Sequence, residues 1–266
     1  MTSSKTRKPV PLNVLNSWRM SRQFLDRSFN SSNILDLIKS IGWIYSPGCS
    51  TPYLAIWARM SSARVEDVNR LVFDDRRLVQ METLRGCTML VPRDQAPIAL
   101  KIRPRTFTEL TKQARTQMPI TESNLEKLKI LVLESLSHGP ATAEQLQNMV
   151  PSALVKNFSP ELKRIGFTNS LALAINLLKE EGKVLKTQPH RRLDSTTYSY
   201  TLLKDALPEV DPFELRREVA YTQLAAQYFK SEGPARMKDF AWWAGINVTG
   251  AIKAANDVKP HLKPVF

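Results

Sequence analysis

Two groups of cationic side chains have the spacing needed to contact a polyanion. One surrounds a predicted turn between two strands and comprises Lys183, Lys186, His190, Arg191 and Arg192. The other begins at a predicted turn with Arg85 and continues with Arg103 and Arg105. Ammonium and guanidinium groups at exposed turns contact phosphate oxygens and give salt-dependent affinity without base specificity. We therefore predict phosphate contacts at these residues, with a merely solvated turn as the alternative.

The composition supports a polyanionic partner. The formal net charge is +13, from 38 Lys+Arg against 25 Asp+Glu, and the pI is about 9.9. Residues 1–120 hold 19 Lys+Arg and 9 Asp+Glu, so the first part of the chain carries most of the excess. This balance indicates nucleic acid or an anionic membrane surface, although charge that only serves solubility would look the same.

Other chemistries have little support in the sequence. The three His and two Cys are scattered without zinc-ligand spacing, so we expect no metal site. Cys49 and Cys87 allow one disulfide but no framework. Residues 1–10 lack the apolar segment of a signal peptide, and no apolar run reaches the roughly 18 residues of a membrane helix. We predict a cytoplasmic monomer without a membrane partner, nucleoid-associated in a bacterium or nuclear in a eukaryote.

The elements that position the cations follow one order, helices and then a β-hairpin. After a flexible basic arm at residues 1–10, apolar spacing predicts helices near residues 12–27, 34–41, 53–60 and 65–72. Residues 43–49, which contain Pro47-Gly48, are predicted as a loop. Two short strands, at 78–84 and 88–92, flank the Arg85 turn. This order is typical of a winged helix, which binds DNA through a helix and a hairpin.

The same order recurs further along the chain. Three helices with predicted caps at Thr121, Thr142 and Asn169 precede strands at 183–188 and 197–202, with an irregular stretch at 151–168. A third set has a long helix at 212–231, then a short helix, a helix opened by Asn247 or Thr249, and a strand starting near 261. Segment 137–146 (SHGPATAEQL) resembles 231–240 (SEGPARMKDF), which indicates a duplicated unit.

The predicted fold class is therefore mainly α with short β-hairpins (α+β), built from tandem winged-helix modules. We place them at residues 11–118, 119–205 and 206–266, the third with an incomplete wing. Four aromatic residues at helical spacing are expected in the core: Tyr53, Trp57, Trp242 and Trp243.

Several segments resemble one family. Residues 54–59 (LAIWAR) and 84–91 (LRGCTMLV) are similar to the first module of the winged-helix DNA glycosylases, the AlkZ-like family. Residues 139–142 (GPAT) and 180–184 (EEGKV) resemble its second module. Residues 233–235 (GPA) and 239–245 (DFAWWAG) resemble its third, and the tryptophan segment is the most specific match. The resemblance spans roughly residues 12–266.

The resemblance implies three winged helices that form a concave basic surface and excise alkylated or crosslinked bases without metal or cofactor. In the family, a Gln-x-Gln or Gln-x-Asp motif after the second helix positions the attacking water. Here the corresponding residues 42–47 (GWIYSP) contain no Gln, Asp or Glu. Tyr45 and Ser46 are the candidate lesion-facing residues, but neither is a general base at its ordinary pKa. The sequence also ends before the C-terminal region of longer relatives, as in a shortened member or a fragment.

Three function classes remain open at this point. The favoured prediction is a protein that binds double-stranded DNA, damaged or distorted, without chemistry. The second is an active monofunctional DNA glycosylase with altered catalytic residues. The third is a scaffold that binds another protein, since winged helices also serve in protein interaction.

Overall fold

The computed structural model describes residues 9–102, 105–188 and 190–263, with residues 105–107 described by their backbone only. In these ranges the chain is mainly helical and contains small antiparallel sheets, so the α+β prediction is confirmed. None of the described helices has both the length and the apolar character required to cross a bilayer.

The first part of the chain consists of short helices and one small sheet. Its elements are α1 (Leu12–Arg22), α2 (Ile34–Ile41), β1 (Ile44–Tyr45), α3 (Thr51–Trp57), α4 (Val65–Asn69), a π-helical turn (Arg70–Asp74), β2 (Leu78–Glu82) and β3 (Thr88–Pro92). The Asn33 side chain accepts a hydrogen bond from the backbone N–H of Leu35 and caps α2, as its residue type predicts. Helix α1 ends at Arg22 and not near residue 27.

Strand β1 corrects the predicted loop at 43–49. Ile44 and Tyr45 pair with Leu90 and Met89 of β3, which gives the sheet order β1-β3-β2. A two-residue strand leaves no alternating pattern to detect, and its pairing depends on contacts more than forty residues away in sequence. Tyr45 therefore lies on a sheet edge and not in a free loop.

The second part repeats this order of elements. It contains α5 (Ala96–Lys101), α6 (Arg105–Thr116), α7 (Glu122–Leu136), β4 (Ala141–Thr142), α8 (Ala143–Met149), α9 (Pro160–Arg164), α10 (Ser170–Glu180), β5 (Val184–Thr187) and β6 (Ser199–Leu202). The second sheet has the order β4-β6-β5, which matches the first sheet strand for strand. The predicted caps are confirmed at Thr121, Thr142 and Asn169.

The structure differs from the expectations for this part in three places. Residues 151–168 are not wholly irregular, because Ser152–Leu154 form a 3-10 turn and α9 follows. Helices α5 and α6 were not predicted, since Pro97 and the polar face of α6 weaken the helical pattern. Strand β5 also starts at Val184, so Lys183 precedes the strand.

The regular elements described in the third part are all helical. It contains α11 (Leu203–Ala206), α12 (Arg217–Glu232), α13 (Met237–Ala244), α14 (Val248–Val258) and a 3-10 turn (Lys259–His261). Asn247 caps α14 through the N–H of Gly250. The predicted strand near 261 is replaced by that turn as far as His261, and residues 264–266 lie outside the described ranges.

The first sheet is packed on both faces, and this determines where the site residues lie. Ile44, Leu78 and Leu90 share one face and join the core formed with α2 and α3. Met81 and Met89 share the opposite face and join a core with Phe240 and other residues of α12 to α14. A separate core holds α7 to α10 together. The hairpin β2–β3 therefore lies between the first and the last helices of the chain.

Candidate nucleic-acid interface

The basic turn between β5 and β6 does not project freely, because its residue Leu193 packs into the core formed with α2 and α3. Leu193 is fully buried among residues of α2 and α3. Its backbone N–H donates a 2.9 Å hydrogen bond to the hydroxyl of Tyr53, which donates in turn to Asn69 Oδ1 at 2.6 Å. Burial raises the pKa of the Tyr53 hydroxyl, so this hydroxyl remains a donor. The turn is thereby fixed against the segment around Asn69.

Anchoring brings the two guanidinium groups of the turn to the surface beside this segment. Arg191 contacts the carboxylate of Asp74, and its side chain is 60% exposed. Arg192 makes a two-pronged contact with Asp194 at 2.8 and 2.7 Å and is 61% exposed. This contact raises the pKa of Arg192 and lowers the pKa of Asp194. Exposed pairs of this kind contribute only about 0–1 kcal/mol, so phosphate can replace the carboxylates.

Further arginines lie in the segment that the turn contacts. Arg70 belongs to the π-helical turn, and Arg76 and Arg77 follow Asp74 by two and three residues. All three are exposed. We call this surface the arginine patch and define it by Arg70, Arg76, Arg77, Arg191 and Arg192. It combines cations from parts of the chain more than a hundred residues apart.

Of the two predicted lysines of the second hairpin, Lys186 is the less accessible one. Lys186 lies with its Nζ 3.5 Å from the centre of the Tyr198 ring and 3.6 Å from Glu82 Oε1, and its side chain is 23% exposed. Burial lowers the pKa of its ammonium group. Lys179 binds the other oxygen of Glu82 at 2.5 Å. Lys186 is therefore largely committed to the contact between the two sheets.

Lys183 and His190 remain accessible. Lys183 pairs with Glu181 at 2.8 Å, yet half of its side chain is exposed. His190 is exposed at the start of the anchored turn. Both residues stay predicted phosphate contacts.

Arg85 occupies a separate site at the tip of the first hairpin. Its guanidinium lies 4.4 Å from the centre of the Trp242 ring on α13. A Cβ on Gly245, whose φ is +71°, would come within 2.9 Å of Arg85 Cα, so tip and helix are in close contact. Arg85 and Arg191 are thus held at different junctions of the fold. Arg103 lies outside the described residues, and the side chain of Arg105 is not described.

Ser46, one of the two candidate lesion-facing residues, is enclosed in the fold. It is fully buried, its N–H donates to Thr88 O at 2.9 Å, and its Oγ accepts from Gln80 Nε2 at 2.8 Å. Tyr45 is 47% exposed. Trp43, two residues earlier, is buried and donates to Gln95 Oε1 at 2.7 Å. Of the two candidates, only Tyr45 is accessible to a ligand.

Sequence reasoning misplaced two of the four aromatic residues. Tyr53 is in the core as expected, and Trp243 is partly buried against Tyr228. Trp57 and Trp242 are 51% and 69% exposed. Helical spacing would have separated Trp242 from the buried Phe240, since residues two apart point to nearly opposite sides of a helix. Sequence reasoning missed Arg70, Arg76 and Arg77 as candidate site residues, because only their charge marked them.

The fold and a family model relate this protein to the DNA-repair glycosylases. The family model "DNA glycosylase AlkZ-like" matches residues 39–265, and the chain belongs to this family. Among solved structures, the chain is similar to the DNA glycosylase AlkZ of Streptomyces sahachiroi. That match has a TM-score of 0.72 and 19% sequence identity, and it covers 97% of this chain and 68% of AlkZ. At this identity it supports the fold alone. No curated protein matches the sequence.

Proposed function

We propose that this protein binds double-stranded DNA through tandem winged-helix modules and recognises damaged or distorted duplex. The modules are those predicted at 11–118, 119–205 and 206–266. The repeated element order and the identical strand order of the two sheets support them. The observation that carries the proposal is the arginine patch, in which the anchored turn with Arg191 and Arg192 contacts the segment that contains Arg70, Arg76 and Arg77.

Phosphate contact is the chemistry that this patch fits best. Its guanidinium groups are exposed, and the carboxylates that pair with Arg191 and Arg192 are themselves exposed or bound to a single partner. Arginine binds phosphate through two parallel hydrogen bonds, and surface ion pairs with carboxylates are weak. The net charge of +13 adds a long-range attraction for DNA.

Binding is better supported than excision by the side chains at the family's motif position. Trp43 is buried, Ser46 is buried and hydrogen-bonded, and Tyr45 offers a phenol. A phenol is a poor general base at neutral pH. Glu82 lies near this region, but its two oxygens are bound to Lys179 and Lys186. We therefore place recognition, and not hydrolysis, at the centre of the proposal.

A salt titration tests the proposal. Anisotropy of a labelled 25-base-pair duplex should show affinity that falls linearly in a double-logarithmic plot against salt, with a slope of about −0.9 per phosphate contacted. The double variant Arg191→Ala/Arg192→Ala should weaken binding on every sequence and reduce the slope by about 1 to 2. The matched control is Lys163→Ala/Arg164→Ala, an exposed adjacent pair at the end of α9.

Two results would contradict the proposal. One is salt-independent or absent duplex binding by the wild-type chain, which would favour a protein partner. The other is an equal loss in the α9 control, which would reduce the arginine patch to general charge. Incubation with alkylated DNA followed by heating in alkali measures abasic sites, and cleavage above the buffer level would restore the glycosylase alternative.

A further inference from the structure

Trp242 is exposed because α13 turns its other side to the core. Phe240, Ala241 and Ala244 are buried, and Trp243 packs on Tyr228 with ring centres 4.9 Å apart. Trp242 lies on the outer side, and 69% of its surface is accessible. An indole left open to water forgoes the stabilisation that burial of so large an apolar side chain provides. No need of the described core accounts for a tryptophan at this position.

The hairpin tip holds a cation against this ring. The Arg85 guanidinium is 4.4 Å from the ring centre, within the range of a cation–π interaction. Arg85 itself has φ +52°, a left-handed conformation that non-glycine residues seldom adopt. A Cβ added to Gly245 would lie 2.9 Å from Arg85 Cα, so the hairpin tip and the end of α13 are in close contact. The pair is thus built by two distant elements and is not a chance contact between flexible side chains.

The charge around the ring is positive. Lys238 is exposed on α13 four residues before Trp242 and so lies on the same side of the helix. The carboxylate of Asp239 is bound by Arg236 at 2.9 and 3.0 Å, which neutralises the acidic residue of that turn. A flat aromatic surface with cations at its border suits a planar ring carried on a polyanion better than it suits an apolar peptide.

We propose that Trp242 and Arg85 form a stacking site for an unpaired nucleobase of DNA. The inference rests on the proposed function and specifies what the protein detects in a distorted duplex. A base that has left the helix stacks on the exposed indole, while Arg85 holds the indole from the hairpin side. Every base has a π face, so the site takes any unpaired base and gives no sequence preference.

Two matched duplexes test the site. One carries a single extrahelical 2-aminopurine, and the other has the same base paired with thymine. Wild-type protein should bind the bulged duplex about tenfold more tightly, as expected for one stacked base, and should quench its 2-aminopurine emission. Trp242→Ala should lose the preference and the quenching, whereas Trp242→Phe should keep part of both. Trp57→Ala, at an exposed tryptophan of α3, should behave as wild type.

The outcomes separate the stacking site from DNA binding itself. Equal binding of the two duplexes by wild-type protein, or a preference that survives in Trp242→Ala, overturns the stacking site while the arginine patch stands. Absence of binding to either duplex instead overturns the proposed function. Far-UV circular dichroism and the thermal midpoint should be unchanged in Trp242→Ala, since the side chain is exposed.

Discussion

The backbone N–H of Leu193 donates a 2.9 Å hydrogen bond to the hydroxyl of Tyr53, and this bond joins the second hairpin to the first core. Leu193 lies in the turn between two strands of the second sheet, yet it is buried among residues of α2 and α3. The consequence is that the guanidinium groups on either side, those of Arg191 and Arg192, are presented from a fixed turn. A preorganised turn loses less conformational freedom when it binds than a mobile one does.

Removing the Tyr53 hydroxyl should destabilise the fold. In Tyr53→Phe, the buried N–H of Leu193 loses its acceptor, which costs about 1–3 kcal/mol in the free energy of unfolding. Urea denaturation measures the change. Tyr45→Phe is the control, since Tyr45 is 47% exposed, and it should stay within about 0.5 kcal/mol of wild type. Equal stability of the two variants would show that the hydrogen bond contributes nothing.

The contact between hairpin tip and α13 should depend on Gly245. Its φ is +71°, and an added Cβ would meet Arg85 Cα at 2.9 Å, so Gly245→Ala introduces both a strained backbone and a clash. The left-handed conformation alone costs about 1–2 kcal/mol for a residue with a Cβ. Gly166→Ala is the control, because Gly166 has φ +97° but no heavy atom within 4 Å of the added Cβ.

Thermal midpoints measure this pair of variants. The thermal midpoint should fall clearly further in Gly245→Ala, because only that variant adds a steric clash to the backbone strain. A comparable drop in Gly166→Ala would mean that backbone strain alone explains the effect, and that the close approach of the tip is not required.

Stability should fall in alkaline solution partly because of Tyr228. Burial raises the pKa of its hydroxyl from 10.0 to about 12. The unfolded chain therefore releases this proton at lower pH than the folded chain does. The stabilisation is complete below pH 10 and is lost as the pH rises towards about 12, by about 2–3 kcal/mol in all.

The variant Tyr228→Phe isolates that contribution. Between pH 10 and 12, its free energy of unfolding should decline less steeply than that of wild type, by up to about 1.4 kcal/mol per pH unit for one proton. Chemical denaturation at a series of pH values gives both slopes. Parallel slopes would place the alkaline transition on other groups, such as the buried Tyr221.

Much of the local structure was predictable because its causes are local. Asn33, Thr121, Thr142, Asn169 and Asn247 cap the helices that their side chains suggest, since a cap needs only the next three residues. The hairpins β2–β3 and β5–β6 were predicted from short strand-like segments on either side of a turn. Several short segments, of which the tryptophan segment is the most specific, resembled the family that the comparison then showed.

The placement of the site was decided by tertiary packing. The sequence could not indicate that Leu193 is buried, because burial in a turn depends on which distant element covers the side chain. Nor could it indicate that Ser46, which directly follows β1, is buried, because β1 forms only by pairing with β3. The sequence determined which residues are cationic, apolar or capping, through their chemistry and short-range spacing. Only the folded chain determined which cations lie beside each other, because contacts between distant residues fix their positions.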